Sequence, residues 1–329
     1  MTRYPTIVRT KAPVQRHFTH DVFTLRLVCA EFGVLDDRVL STIAVGRHNG
    51  TMRIAVFQQT AKPGQIEHNL ALIEIAADTA AAQDAALLLT PELFVVGYAP
   101  QRIRDQISPA DVAFAHGELA DIARRYRIGL VYSLPGDEDP ACRGITATLV
   151  DATGTRRAHY QKVHLFGPEE NAAFQAGTQA PPVVEFDGRQ VGLAVCYDIE
   201  FPEMARAVAA AGADVLLVPT ALAGDFPEIP HLVIPTRALE NRMTVAYANH
   251  VGTADGWDFK GRSVVAGPDG AVLGALQDEP GLVVVHVPAR PQPGPEGPWY
   301  LQDRRPEIYR HWDTGSLSQC ARNDPATQS

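Results

Sequence analysis

The chain has 329 residues, of which 46% are hydrophobic and 20% charged, and a net charge of −9. That balance suits a folded globular chain with a sizeable core, and its acidic sign excludes a basic footprint for nucleic acid or an anionic membrane. Cys29, Cys142, Cys196 and Cys320 lie far apart, which argues against a disulfide framework or zinc cluster and fits a reducing cytoplasm.

Residues 1–51 show no sustained period and no signal-peptide core. They read as a loosely attached, poorly ordered extension, even a product of start-codon choice, with the functional domain opening near Met52. Met52 to Gln59 reads as a first strand. Leu70, Ile73, Ala77 and Ala80 recur at helical spacing between Gln65 and Gln83, and Ala86 to Leu89 is a buried strand. Ser108-Pro109-Ala110-Asp111 carries a capping box with proline at the first helical position, and predicts a helix to about Arg127. A strand from Ile128 to Tyr132 follows. Strands on either side of Asp151-Ala152-Thr153-Gly154 form a hairpin, and Asp187-Gly188 marks another turn.

Gln190 to Val195 reads as a strand in which Val191, Leu193 and Val195 alternate with small residues, so that it can be covered on both faces. It ends at Cys196. Pro202 and Glu203 suit a helix start just beyond, so the cysteine sits in an exposed, strained turn of the nucleophile-elbow type. A helix from Phe201 to Ala211, a strand from Asp214 to Val218, a helix from Pro230 to Arg242 and a strand from Thr244 to Ala248 follow. Two antiparallel strands then flank Pro268-Asp269-Gly270, and a last strand runs from Gly281 to Val287. The domain thus spans 52–288. Residues 289–329 turn proline-rich and then polar, as an arm or tail. The most apolar run, Ala207 to Gly224, is broken by Asp214 and Pro219 and is no membrane span. Strands alternating with helices, mixed with hairpins, give an α/β layered domain with a mixed sheet.

Three reactive side chains follow three strands: Glu92, Lys162 and Cys196. Strand ends are where an α/β sheet gathers its chemistry. A free thiol has a pKa of about 8.5, so it needs a base, and Glu92 suits that task. Attack on an amide carbonyl places charge on oxygen, which Lys162 and the backbone N–H of Tyr197 can hold. A buried lysine stays charged only beside carboxylates, and Glu170 or Glu169 stands close in sequence. His164, two residues from Lys162, suits a structural hydrogen bond better than catalysis. Thr220, Ala221 and Asn249, each after a strand, are candidate pocket residues.

Three segments carry a resemblance: Leu88 to Phe94, Tyr160 to Phe166 and Gly192 to Glu203. With Leu217 to Ala221, Arg237 to Arg242 and Tyr247 to Asn249, they make the chain from Met52 to about Tyr309 similar to the nitrilase superfamily of carbon–nitrogen hydrolases. The resemblance implies a four-layer α-β-β-α sandwich with two mixed sheets that pairs through helices into a homodimer or higher homo-oligomer. It implies Glu92 as general base, Lys162 as oxyanion stabiliser, Cys196 as nucleophile and Glu170 as second glutamate, with Glu169 the near alternative. It implies no metal or organic cofactor. Tyr197-Asp198 after the cysteine is similar to the amide-hydrolysing branches, so the expected substrate is a small carboxamide. An N-carbamoyl-amine hydrolase, a nitrilase and an inactive binding scaffold of the same fold are the alternatives. Trp299-Tyr300 and Arg304 to Glu307 resemble the family's C-terminal tail and are expected to make dimer contacts.

Overall fold

The computed structural model describes residues 52–136, 139–292 and 299–313. The extension expected over 1–51 lies outside these residues, as do Cys29 and Cys320.

Two six-stranded sheets form the centre. The first runs β14-β1-β2-β3-β4-β5 and the second β13-β12-β9-β8-β7-β6. In the first, β1 (Arg53–Gln58), β2 (Leu87–Leu89) and β3 (Gly129–Pro135) are parallel, while β4 (Ile145–Val150), β5 (Arg156–Gln161) and β14 (Gly281–His286) join antiparallel. In the second, β7 (Arg189–Leu193), β8 (Val215–Pro219) and β9 (Thr244–Ala248) are parallel. There β6 (Val183–Phe186), β12 (Val264–Ala266) and β13 (Val272–Ala275) are antiparallel neighbours.

Side-chain alternation explains the layering. In β8, Val215 and Leu217 enter the large core shared with the first sheet, whereas Leu216 and Val218 join a second core. That second core contains Ala205, Val208 and Ala209 of α5 (Pro202–Ala210) and Ile234 and Ala238 of α6 (Ile234–Asn241). A period of two thus gives one strand two apolar faces, and both are covered. On the far side, α1 (Ile66–Ala82) and α3 (Pro109–Tyr126) pack on the first sheet. The layers are therefore α-β-β-α, as the resemblance implied. Each fully buried leucine in them contributes on the order of 2 kcal/mol.

Local signals explain the element ends. Ser108 and Asp111 form the capping box, and Arg127 closes the helix in the left-handed conformation. Asp187 and Gly188 both take positive φ, 52° and 73°, as a two-residue hairpin turn requires. Gly192 is small for a packing reason: a Cβ there would lie 2.3 Å from Val208 Cγ1 of α5.

Five regions add to or differ from the sequence reading. A 3-10 turn, Cys196–Glu200, separates the cysteine from α5, because Asp198 folds its carboxyl back to the Val195 N–H. The helix expected from Pro230 begins with a π-type turn, Ile229–Val233, before α6. Between the strand ending at Ala248 and the strands around Pro268-Asp269-Gly270, where no element was expected, lies a hairpin of β10 (Val251–Ala254) and β11 (Trp257–Lys260), turned at Asp255-Gly256. Pro100–Gln106 forms α2, and within the stretch read as an arm lie α7 (Tyr300–Asp303) and α8 (Pro306–Asp313). Among the described residues, no helix is long and apolar enough to cross a membrane.

Candidate active site

Lys162 is the residue after β5. Its backbone is pinned on both sides, the N–H donating to Ile145 at 2.8 Å and the carbonyl accepting from Gly177 at 2.7 Å. Its side chain is fully buried. Nζ donates to Glu92 Oε1 at 2.8 Å and to Glu170 Oε1 and Oε2 at 2.9 and 2.8 Å. An ammonium has three hydrogens, so each meets a carboxylate oxygen. An isolated buried charge would be prohibitive, and here two opposite charges compensate it.

Glu170 sits in the first turn of α4 (Gly167–Ala173), where it also accepts from the Phe166 N–H at 2.8 Å and the Tyr98 hydroxyl at 2.8 Å. Glu169, one residue away, points to the exposed side of the helix. The contact with Lys162 therefore belongs to Glu170.

Glu92 lies beyond the end of β2. Its N–H donates to the Thr220 carbonyl at 3.1 Å, and its carbonyl meets His250 Nε2 at 2.6 Å, so the second sheet holds its backbone twice. Leu93, next in the chain, has a φ of 52°. Glu92 Oε2 is buried without a partner in ordinary hydrogen-bond geometry, while the Cys196 thiol lies near enough to lower the carboxyl's pKa.

Cys196 is buried, 8% exposed, and has a φ of 47°. The strain expected of the turn is present. The exposure is not, because Cys196 belongs to the main core cluster of buried residues. Left-handed backbone costs a residue with a Cβ about 1–2 kcal/mol, so the fold holds this conformation against its local preference. The Ala221 N–H faces the sulfur.

The electrostatics follow from burial. Desolvation pushes the Glu92 carboxyl up to about 7, with Lys162 opposing and Glu170 reinforcing that shift. Burial by itself would strip the proton from Lys162, but Glu92, Cys196 and Glu170 together raise its pKa above the ordinary lysine value. Burial and then Glu92 push the Cys196 thiol well up, so at rest the sulfur keeps its proton. The cluster thus holds a fixed cation, a carboxyl poised near neutrality and a protonated thiol.

The match to known proteins now has a geometry to attach to. Residues 53–292 match the carbon-nitrogen hydrolase family model. The chain belongs to the carbon-nitrogen hydrolase family. A hydrolase from the pqqF 5′ region of Pseudomonas protegens is 36% identical over 263 residues, 79% of this chain and 91% of that one. The crystal structure of an amidase from Nesterenkonia sp. is 54% identical and superposes with a TM-score of 0.76, covering 80% of this chain and 98% of that one. One variant of that amidase, 53% identical with the same TM-score of 0.76 and the same coverage of 80% and 98%, shows covalent addition of the acetamide moiety of fluoroacetamide at the active site cysteine. Another, 54% identical with a TM-score of 0.76 and coverage of 80% and 98%, is in complex with butyramide.

The remaining candidates of this hydrolase fall into place around the cluster. Tyr197 is half-buried, and its ring meets Phe166 and Phe201 edge-on at 5.2 and 4.9 Å. Ala221 approaches the sulfur through its backbone. Thr220 is fully buried, and its hydroxyl bonds to the Val218 carbonyl at 3.3 Å. Asn249 spends its amide on backbone: Oδ1 accepts from Leu222 and His250, and Nδ2 donates to Gly261 and Leu222. Thr220 and Asn249 hold loops rather than offer polar groups to a ligand. His164 donates to Asp198 Oδ1 through Nδ1 and stacks on Phe201 at 3.9 Å, a structural arrangement. Cys142 is exposed and remote from the cluster's bonds.

Tyr98 and His250 were not among the candidates legible in the sequence, and Asp198 stood there only as a mark of the amide-hydrolysing branches. The available signal was position: Tyr98 and His250 each stand near a strand-end candidate, and Asp198 lies within the cysteine segment.

Proposed function

We propose that this hydrolase is an amidase that releases ammonia from small carboxamides through a cysteine thioester. The observation that carries this reading is the Lys162 ammonium clasped between Glu92 and Glu170 beside a cysteine in a left-handed turn. In the proposed cycle ionised Glu92 takes the Cys196 proton as the sulfur attacks the amide carbon. Lys162 and the Tyr197 N–H stabilise the oxyanion, an effect worth about 3 kcal/mol per donor. Glu92 passes the proton to nitrogen, the C–N bond breaks, and ammonia leaves a thioester. Glu92 then deprotonates water, which attacks the thioester, and the carboxylic acid departs as the thiol recovers its proton. One amide and one water thus give one acid and one ammonia.

Small substrates are favoured because the Nesterenkonia amidase, similar over most of this chain, holds butyramide and takes up the acetamide moiety of fluoroacetamide. A free nucleophilic thiol suits the reducing cytoplasm. Assembly as a homodimer through helices belongs to the same proposal. Exposed Leu239 on α6, Tyr300 on α7 and Trp312 on α8 support it, and sedimentation would measure it.

Ammonia release from acetamide, butyramide and acrylamide, set beside N-carbamoyl amino acids and matching nitriles, tests the reading. Wild type should turn over the amides fastest, and Cys196→Ala should abolish turnover in a folded protein. Faster turnover of nitriles or carbamoyl compounds would move the assignment to those classes. Full activity in Cys196→Ala would end it.

A further inference from the structure

Asp198 is completely buried, and its carboxyl group is fully occupied. Oδ1 accepts from the His164 N–H at 2.9 Å and from His164 Nδ1 at 2.9 Å. Oδ2 accepts from the Tyr160 hydroxyl at 2.8 Å and from the Val195 N–H at 3.2 Å. Because both oxygens only accept, the His164 proton sits on Nδ1.

The identity of these donors is informative. Tyr160 and His164 stand two residues before and two residues after Lys162, and Val195 immediately precedes Cys196. One carboxyl group therefore joins both flanks of the lysine to the start of the cysteine turn. The lysine comes from the edge of the first sheet and the cysteine from the second. Asp198 takes donors from both flanks of Lys162 and from the cysteine turn. Its bond to Val195 also closes the 3-10 turn in which Cys196 is kept at a φ of 47°.

We propose that Asp198 is a positioning residue that sets the distance from the Lys162 ammonium to the Cys196 sulfur by clamping the segments that carry them. The proposal rests on Cys196 being the nucleophile. Asp198 does not touch the reacting atoms. It acts through the placement of two groups that do, and placement errors of about 1 Å cost roughly a hundredfold in rate. Asparagine at this position is nearly isosteric, but its NH2 would face two of the four donors and leave them unpaired.

The test is steady-state amide hydrolysis by wild type, Asp198→Asn, Tyr160→Phe and the double variant, with Cys196→Ala as the reference and thermal melting as the check on folding. Asp198→Asn should lower kcat about a hundredfold while KM stays within about threefold, because binding and positioning are separable here. Tyr160→Phe removes one of the four donors and should lower kcat about fivefold or more, again with a flat KM. The double variant should be no slower than Asp198→Asn, since both act through one carboxyl group. A folded Asp198→Asn enzyme with kcat within about threefold of wild type overturns the proposal. If that variant does not fold, Tyr160→Phe decides: kcat within about twofold of wild type overturns it, and a larger loss at constant KM sustains it. Activity retained in Cys196→Ala would instead fault the nucleophile assignment, so the two failures are distinguishable.

Discussion

Lys162 and Glu170 meet through both carboxylate oxygens, at 2.9 and 2.8 Å, with neither side chain open to solvent. This contact leaves one hydrogen of the ammonium for Glu92, at 2.8 Å. Glu92 and Glu170 thus keep Lys162 charged together, and the contact leaves Glu92 Oε2 available as a base.

The first prediction concerns pH. Glu92 has a folded pKa pushed up to about 7 by burial, so its ionised form is lost as pH falls through that value. The measured kcat/KM should drop about tenfold per pH unit below 7 and level off above it. Glu170→Gln removes a neighbouring negative charge that raises the Glu92 pKa, so the acid limb should move to lower pH. The same variant should lose about a hundredfold in kcat as Lys162 draws closer to Glu92 alone. A kcat/KM profile of the two proteins from pH 5 to 9 reads both effects.

The strained nucleophile makes a second prediction. Glycine adopts positive φ freely, whereas alanine does not. Cys196→Gly should exceed Cys196→Ala in stability by about 1 kcal/mol, although both lack the thiol and both should be inactive. Urea denaturation of the pair measures the difference, and equal midpoints would mean that Cys196 carries no backbone strain.

Gly192→Ala gives a third. The added methyl would lie 2.3 Å from Val208 Cγ1. Either β7 or α5 must shift, at a cost of about 1–3 kcal/mol. Because β7 leads directly to Cys196, the melting temperature and kcat should fall together.

His250 supplies the fourth. Burial lowers its pKa from 6.5 to about 4, and it stays neutral against the Glu92 carbonyl at 2.6 Å. The unfolded chain binds this proton more readily than the folded one between those values. Stability should therefore be lost as pH falls from 6.5 towards 4, by about 3 kcal/mol from this group. His250→Gln should flatten that part of the stability–pH curve in chemical denaturation, while an unchanged slope would show that other groups dominate. Glu92, with its raised pKa, acts in the opposite direction between 4.5 and about 7, so the contrast between variant and wild type is the quantity to read.

Strand-end positions, alternating cores and capping signals were legible in the chain itself, because they depend on residues a few places apart. Val191, Leu193, Val195 and the small residues between them announced a stretch covered on both sides, and the structure covers it so. Ser108 and Asp111 announced their helix start. By contrast, the residues near Lys162 left Glu169 and Glu170 both open, the resemblance favoured Glu170, and only tertiary packing brings Glu170 onto the ammonium. It also decided that Asp198 joins Tyr160, His164 and Val195, and that the β10–β11 hairpin sets Trp257 and Phe259 against Tyr98. The reason is physical. A buried polar group must find its partners wherever the fold brings them, and for Glu92 and Lys162 that separation is 70 residues along the chain. Periodicity carries no information over such a distance, whereas the packing of two sheets fixes it to within a hydrogen bond.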